Sequence, residues 1–411
     1  MLNTEPVPLP GAPGHLVLAE CARWQWRVGE PGDPLRLLEQ FLGDLGLPVG
    51  DLAAGSTGRG RGPVVGAAVH VSAAAAAAAA GAPRGPASPT PAVPDVVAVA
   101  YVDVAAAGSA RRRPAPGGSA GRLRQPWQRH EGSGESDTGR PRPWRLGEWR
   151  PSWSPAAHAG AVRRLRAAIA AGDVYQANLV GHARARYRGD PLPALARVAR
   201  LPGARYGGLL TGAGWALGCG SPETLVEVRA GVARTRPIKG TRPATAQGRA
   251  ALRGSAKEHA EHIMIVDLVR NDLALVARTG GVRVESLYAV RRWCDLWQAE
   301  SVVSAALADG VGLATLLGAL APGGSVTGAP KLAALRHIAA LEPVGRGPSM
   351  GALGWVGRDH VDLGLTIRTA AADATQLHLW AGGGITWGSD PEAEVAEAAA
   401  KAAPIRAALA G

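Results

Sequence analysis

Apolar residues are sparse and interrupted before about residue 155 and dense and regular after it. In the first part, Leu16-Val17-Leu18 is a short apolar run, and Asp33-Pro34 opens a helical pattern continued by Leu35, Leu37, Leu38, Phe41 and Leu42. Asp before Pro marks a helix start, because the carboxylate accepts free backbone N–H groups and Pro has none to satisfy. Valine-rich stretches at 64–71 and 96–104 read as strands. The eight alanines from Ala73, followed by a Pro-rich stretch to Pro94, read as low complexity, since so short a run makes no stable helix alone.

In the second part, Val162, Leu165 and Ile169 have helical spacing that should stop near Gly172-Asp173, before a strand from Val174 to Val180. The pattern predicts strands at 207–218, 224–236 and 281–290, and helices over 245–278, 311–320, 329–341 and 391–409. Without a regular strand-helix repeat, a doubly wound parallel sheet is disfavoured and an α+β fold expected. We expect a β-rich region at 1–107, an Arg/Gly/Pro-rich segment at 108–152 and a larger catalytic part at 153–411.

The net charge of +12 raises nucleic-acid binding, but 108–150 alone holds ten arginines against Glu131, Glu135, Asp137 and Glu148. That segment lacks periodicity and reads as a disordered basic loop. Trp127, Trp144, Trp149 and Trp153 interleave with its arginines as a stacking platform would, yet no RNA-binding signature accompanies them, so no nucleic-acid partner is expected. Cys21, Cys219 and Cys294 fit neither a disulfide framework nor a zinc pattern. With no signal-peptide pattern and no membrane span in the sequence, a cytoplasmic protein is expected.

Of the 45 lysines and arginines only four are lysine: Lys239, Lys257, Lys331 and Lys401. A neutral amine can act as nucleophile or base, whereas a guanidinium stays protonated. Lys239, within Thr235 to Pro243, is therefore the first candidate for chemistry, against the plainer reading of a solvated lysine between turn residues. Glu258 with Glu261, and Glu394 with Glu397, are spaced three apart in helical stretches, which puts each pair on one face. Acids on converging helices suit an oxygen-liganded magnesium ion, although such pairs also occur on solvated faces. Pro322 to Lys331 is rich in small residues and places Pro330 at a helix start, an arrangement suited to anions. Gly382-Gly383-Gly384, after a strand from His378 to Trp380, reads as an amide nest, with Arg368 as a buried cation in an apolar context.

Gly172 to Leu179, Ser221-Pro222-Glu223, Pro237 to Thr241, Glu261 to Asp272, Gly324 to Lys331, Ile367-Arg368-Thr369 and Gly382 to Lys401 resemble, in order, the motifs of the chorismate-binding enzymes. That family includes anthranilate, isochorismate and salicylate synthases and the large subunit of aminodeoxychorismate synthase, and the resemblance spans roughly 155–405. It implies stacked antiparallel β-sheets with flanking helices. Lys at 239 resembles the aminodeoxychorismate synthases, where anthranilate synthases have Ala. The resemblance then implies that the Lys239 amine adds to ring carbon 2 of chorismate and expels the carbon 4 hydroxyl, and that ammonia enters at carbon 4 and releases the lysine. Glu223 would serve as general acid and base, and its separation of sixteen from Lys239 suggests two neighbouring strands facing one pocket. Glu261, Glu394 and Glu397 match magnesium ligands, with Glu258 as an additional acid. Gln176, Thr241, Thr327, Arg368, Lys401 and the amides of Gly383 and Gly384 match substrate-binding positions. Ammonia is expected from a glutamine amidotransferase partner, because no cysteine here has a glutaminase context. Gln298, or Asp295 in a slipped register, stands where the family has His, and Ser349 where it has Tyr; without a Leu-Leu-Glu-Ser box, feedback by tryptophan is not expected.

Overall fold

A computed structural model of the protein describes residues 12–14, 16–54, 62–104 and 143–411. The chain runs through β1 (Leu18–Trp26), α1 (Pro34–Asp44), β2 (Val64–Val71), α2 (Ala73–Ala79), β3 (Val96–Asp103), β4 (Arg145–Leu146), β5 (Arg150–Pro151), α3 (Pro155–Ala170) and β6 (Gln176–Arg188). It continues through α4 (Leu192–Ala199), β7 (Tyr206–Gly212), β8 (Trp215–Ser221), β9 (Thr224–Arg229), β10 (Val232–Arg236), β11 (Ile238–Pro243), α5 (Ala246–Gly254), α6 (Ala256–Ala274), β12 (Ala277–Trp293) and β13 (Leu296–Leu307). It ends with α7 (Leu313–Leu320), β14 (Gly328–Ala329), α8 (Lys331–Leu341), β15 (Ala352–Gly357), β16 (His360–Leu365), β17 (Thr369–Ala372), β18 (Gln376–Ile385) and α9 (Pro391–Ala410).

Among the described residues these strands form two antiparallel sheets. One, of ten strands, runs β1-β3-β2-β15-β16-β9-β10-β13-β11, with β12 also on β13. The other, of eight, runs β14-β6-β18-β17-β8-β7, with β4 and β5 also on β6. The three N-terminal strands are thus hydrogen-bonded into the same sheet as β15 and β16. Two short links, each joining consecutive strands directly, cross between the sheets. Pro222-Glu223 joins β8 to β9, and Thr366-Ile367-Arg368 joins β16 to β17. The crossings are tied together where the Leu365 N–H donates to the Glu223 carbonyl (3.0 Å) and the Gly220 N–H to the Arg368 carbonyl (3.0 Å).

Local chemistry explains where the elements stop. Asp33 accepts from the N–H groups of Leu35 and Arg36, and Leu35, Leu38 and Leu42 of α1 are buried. The strand expected over 207–218 divides at Gly214 (φ +75°), and that over 224–236 divides at Ala230-Gly231, whose φ angles of 49° and 74° make a tight hairpin. The single helix expected over 245–278 is two, because the Ser255 hydroxyl accepts the Glu258 N–H and starts a new one. The strand expected at 281–290 extends over Ala277–Trp293, and the one expected from Val174 begins at Gln176.

Two expectations need correction. The alanine run is an ordered helix: Ser72 caps Ala75, and Ala73, Ala75 and Ala76 are buried, so tertiary packing provides what the isolated run lacks. Most of the expected basic loop, 105–142, lies outside the described residues, Trp127 included, but its end is not loop-like. β4 and β5 add to β6. The Trp144 indole donates to the Leu409 carbonyl (3.0 Å), Arg406 covers Trp149 and Trp153 stacks on His158. These three rings are engaged in packing within the protein. No helix among the described residues is long and apolar enough to cross a membrane.

Candidate active site

The two crossings, β11, β18, α6 and α9 enclose a narrow pocket of about 110 Å³. Glu223, Lys239, Thr241, Glu258, Glu261, Arg368, Gly383, Gly384, Glu394, Glu397 and Lys401, all singled out in the sequence, line it. Residues spread over nearly two hundred positions thus reach one hollow, because both sheet crossings open onto it.

Glu223 is buried in the crossing between the sheets, with the Ile238 N–H donating to its Oε1 at 3.3 Å. Burial pushes its carboxyl up to about 7, against the opposing pull of Ser325, Lys239 and Arg368. Glu223 and Lys239 do face one pocket, but not from neighbouring strands: Glu223 precedes β9, and β10 and β13 separate β9 from β11. Lys239 is the second residue of β11, and its Nζ makes only a long contact to the Ser325 carbonyl, 3.5 Å. Among the described residues its ammonium is in no ion pair, and burial, reinforced by the Lys401 charge, lowers its pKa. A partly buried amine without a carboxylate partner is chemically available in the way a salt-bridged lysine is not.

Lys331 shows the contrast. Its Nζ lies 3.0 Å from Asp272 and donates to the Ala319 carbonyl at 2.8 Å, which fixes α8 against α6 and α7. Lys257 contacts Glu261 at 3.6 Å, and Lys401 contacts Glu397 at 2.6 Å while donating to the Gly382 carbonyl at 3.1 Å.

Arg368 occupies left-handed backbone (φ 52°), a costly conformation for a residue with a side chain. The Gly220 contact holds that turn, and the guanidinium lies 4.6 Å from the Trp293 ring centroid with its NH1 donating to the Lys401 carbonyl. Its Nε is buried without a partner, and burial lowers the guanidinium to about 10.

The three glycines are not a nest after the strand but part of it. Gly382, Gly383 and Gly384 of β18 pair with Val180, Leu179 and Asn178 of β6. Their value is what they lack. A Cβ on Gly384 would lie 2.7 Å from the Gln176 amide, 2.8 Å from Lys239 Nζ and 3.0 Å from Asn178, and one on Gly383 would lie 3.0 Å from Glu394. Gln176 is buried behind this floor; its amide reaches Asn178 at 3.4 Å and its Oε1 has no partner. Thr327 is fully buried with its hydroxyl given to the Gly323 carbonyl (2.9 Å); Ser325 and Val326 of the same segment reach the pocket in its place.

The four glutamates line the pocket from α6 and α9, each on a protein partner. Arg242 holds Glu258 at 2.9 Å, the Thr386 hydroxyl donates to Glu261 at 3.0 Å, and the Ser389 hydroxyl donates to Glu394 at 2.6 Å. Burial raises Glu394, whereas the Lys401 ammonium lowers Glu397. Among the described residues no three acidic, histidine or cysteine side chains gather closely enough to hold a metal ion.

Asn178, Ser325, Met350 and Trp380 also line the pocket and were not foreseen. Asn178 was within reach, since it stands two residues from Gln176 on one strand and shares its face. Gln298 lines the pocket from β13, opposite Thr241 on β11, whereas Ser349 is buried with its hydroxyl on the Thr366 carbonyl.

The chain is 37% identical over 263 residues to the aminodeoxychorismate synthase component 1 of Salmonella typhimurium, covering 62% of this chain and 58% of the relative. It is 38% identical over 257 residues to the anthranilate synthase component 1 of Streptomyces coelicolor, covering 61% of this chain and 50% of the relative. It therefore spans between half and three-fifths of the length of these relatives. The crystal structure of anthranilate synthase component I from Streptococcus pneumoniae superimposes with a TM-score of 0.74 at 24% identity, covering 98% of this chain and 95% of that one, and shares its fold. The sequence pattern of the chorismate binding enzymes matches residues 113–407, and the chain belongs to that family.

Proposed function

We propose that the chain is the synthase component of an aminodeoxychorismate synthase, converting chorismate and ammonia to 4-amino-4-deoxychorismate. The observation that carries this reading is the Lys239 amine, lowered in pKa and without an ion pair among the described residues, standing over Gly384 in the pocket that holds Glu223.

In this mechanism the neutral Lys239 amine attacks carbon 2 of chorismate. The ring double bonds shift and the carbon 4 hydroxyl leaves as water, taking its proton from Glu223. A carboxyl pushed up to about 7 carries that proton near neutral pH. Ammonia then adds at carbon 4, gives its surplus proton to Glu223, and the reverse shift expels Lys239. Arg368 and the bare floor at Gly383 and Gly384 suit the carboxylates of the substrate. Oxygen donors on two helices are the right chemistry for Mg²⁺, with Glu261, Glu394 and Glu397 as the residues that would hold it and Glu258, on Arg242, as an additional acid. When bound there, Mg²⁺ would supply the charge that anchors a substrate carboxylate.

Ammonia would come from a glutamine amidotransferase subunit. The three cysteine thiols of this chain are unsuited to glutamine hydrolysis: burial raises all of them, Cys219 and Cys294 to about 11.

The deciding experiment is mass spectrometry of the protein trapped during turnover with chorismate, Mg²⁺ and ammonium. A chorismate-derived adduct on Lys239, with 4-amino-4-deoxychorismate as product, supports the reading. Release of pyruvate with anthranilate would move the chain to the sister activity named for the Streptomyces coelicolor relative. A Lys239→Ala variant that still makes 4-amino-4-deoxychorismate at the full rate would remove the mechanism.

A further inference from the structure

A second cavity, of about 470 Å³, lies between α2, the 82–91 segment and α8. Its volume falls in the range of small-molecule sites, about 300–1,000 Å³. The walls are small and apolar: Ala73, Ala74, Ala77 and Ala78 of α2 on one side, Leu335, Ile338 and Ala339 of α8 on the other. Its charges are already committed, with one exception. Arg27 donates to the carbonyls of Pro91 and Ala92, Asp95 accepts from Ser72 and Val28, and Glu342 and Arg346 pair with each other at 2.7 Å. Arg84, exposed on the lining, has no hydrogen bond or ion pair among the described residues.

The buried Glu342–Arg346 pair is also a wall of the catalytic pocket's supports. Glu342 accepts the Val180 N–H (3.0 Å), and Arg346 donates to the carbonyls of Val326 (2.6 Å) and Asn178 (3.2 Å). Val180, Val326 and Asn178 all line the catalytic pocket. Trp380 adds a second tie: it lines that pocket, and its indole donates to the carbonyl of Gly345 in the cavity lining (3.3 Å).

We propose that this cavity is a second ligand site for a flat, apolar monocarboxylic acid of one or two rings, and that its occupancy opposes substrate binding through Glu342 and Arg346. The alanine wall of α2 has no side chain long enough to obstruct a ring, and the Arg84 guanidinium is a match for one carboxylate at the mouth. The sign of the coupling follows from the shared strand. A substrate entering the catalytic pocket presses on the strand that carries Asn178 and Val180, both in its lining. A ligand packed against the Glu342–Arg346 pair as it stands holds that strand in place and favours the substrate-free form. The effect on chorismate rests on the function proposed above; the binding itself does not.

The probe is 2-naphthoate, with binding followed by ligand-observed NMR and the 176–182 strand followed by hydrogen exchange. Wild-type protein should bind it and exchange the Val180 amide more slowly in its presence. Ala77→Phe and Ala339→Phe fill the cavity from opposite walls and should each abolish binding, and Arg84→Ala should weaken it about 5-fold or more, a loss of one charge-assisted contact. Two filling variants guard against one that fails to fold, which circular dichroism would reveal. By calorimetry, saturating 2-naphthoate should weaken chorismate binding about 5-fold or more. No binding to the wild type, equal binding to both folded filling variants, or binding that leaves Val180 exchange unchanged would each overturn the proposal. Should chorismate fail to bind while naphthoate still protects Val180, the functional reading falls and the second site stands.

Discussion

The two hollows on either side of Glu342 and Arg346 are built on opposite principles. The catalytic pocket is small and crowded with charge, and its key groups are held away from their preferred states: Glu223 raised to about 7, Lys239 lowered, Arg368 in left-handed backbone. The other cavity is roomier, with alanine and leucine walls whose charged groups, Arg84 apart, are hydrogen-bonded within the protein. The difference teaches where strain is kept. Perturbed groups collect where chemistry is proposed, while the charged groups on the neighbouring void, apart from the exposed Arg84, keep protein partners.

The largest effect should come from removing the amine. Lys239→Ala should lower turnover on the order of 10³-fold or more, because no other lysine in the pocket lacks a carboxylate partner, and a product assay with chorismate and ammonium measures it. Glu223→Gln should cost about 10²–10⁴-fold. The pH dependence sharpens the assignment. Rate should rise as Lys239 loses its proton and fall above about 7 as Glu223 loses its own, so Glu223→Gln should remove the alkaline limb. The same shift bears on stability. Between the ordinary carboxylate value of 4.5 and about 7 the folded state keeps the Glu223 proton and the unfolded state releases it, so this group's contribution is full below 4.5 and is lost as pH rises through about 7. Thermal unfolding of Glu223→Gln should lack that decline.

Cutting the shared wall comes next. Glu342→Ala leaves the Arg346 charge buried without its carboxylate and should destabilise the protein by about 3–5 kcal/mol in urea unfolding. Gly384→Ala should act on the catalytic side, pressing a methyl on Gln176, Lys239 and Asn178, and reduce kcat/KM about 10-fold or more with little change in urea midpoint. The mildest change is Arg84→Ala, an exposed side chain without partners among the described residues, which should alter stability by less than about 0.5 kcal/mol.

Much of the candidate pocket was legible because the chemistry proposed for it calls for particular residue types. Rare lysines and acids at helical spacing are visible in a string of letters; the three glycines were visible too, but as an amide nest and not as a strand floor where a Cβ would collide. The positions that escaped are those whose role depends on what lies opposite. Thr327 has the hydroxyl that suits a substrate contact, yet the carbonyl of Gly323 takes it. Lys331 has an amine as reactive in principle as that of Lys239, and Asp272 neutralises it. The alanine run of α2 gave no helical signal of its own, because alanine carries no amphipathic pattern; burial of Ala73, Ala75 and Ala76 makes it a helix. The second cavity left no trace in the sequence, since a void is a property of surfaces that meet.

By itself the sequence determined the α+β class, the antiparallel plan implied by its motifs, most helix starts, and which side chains could do chemistry. These follow from local rules: capping, turn geometry and the reactivity of an amine or a carboxyl. Only the tertiary structure decided that Glu223 and Arg368 sit on the two crossings between sheets, which lysine lacks a carboxylate partner, and that one ion pair separates two hollows. The physical reason is that proton affinity and pairing depend on burial and on neighbours distant in sequence, and those exist only once the sheets have packed.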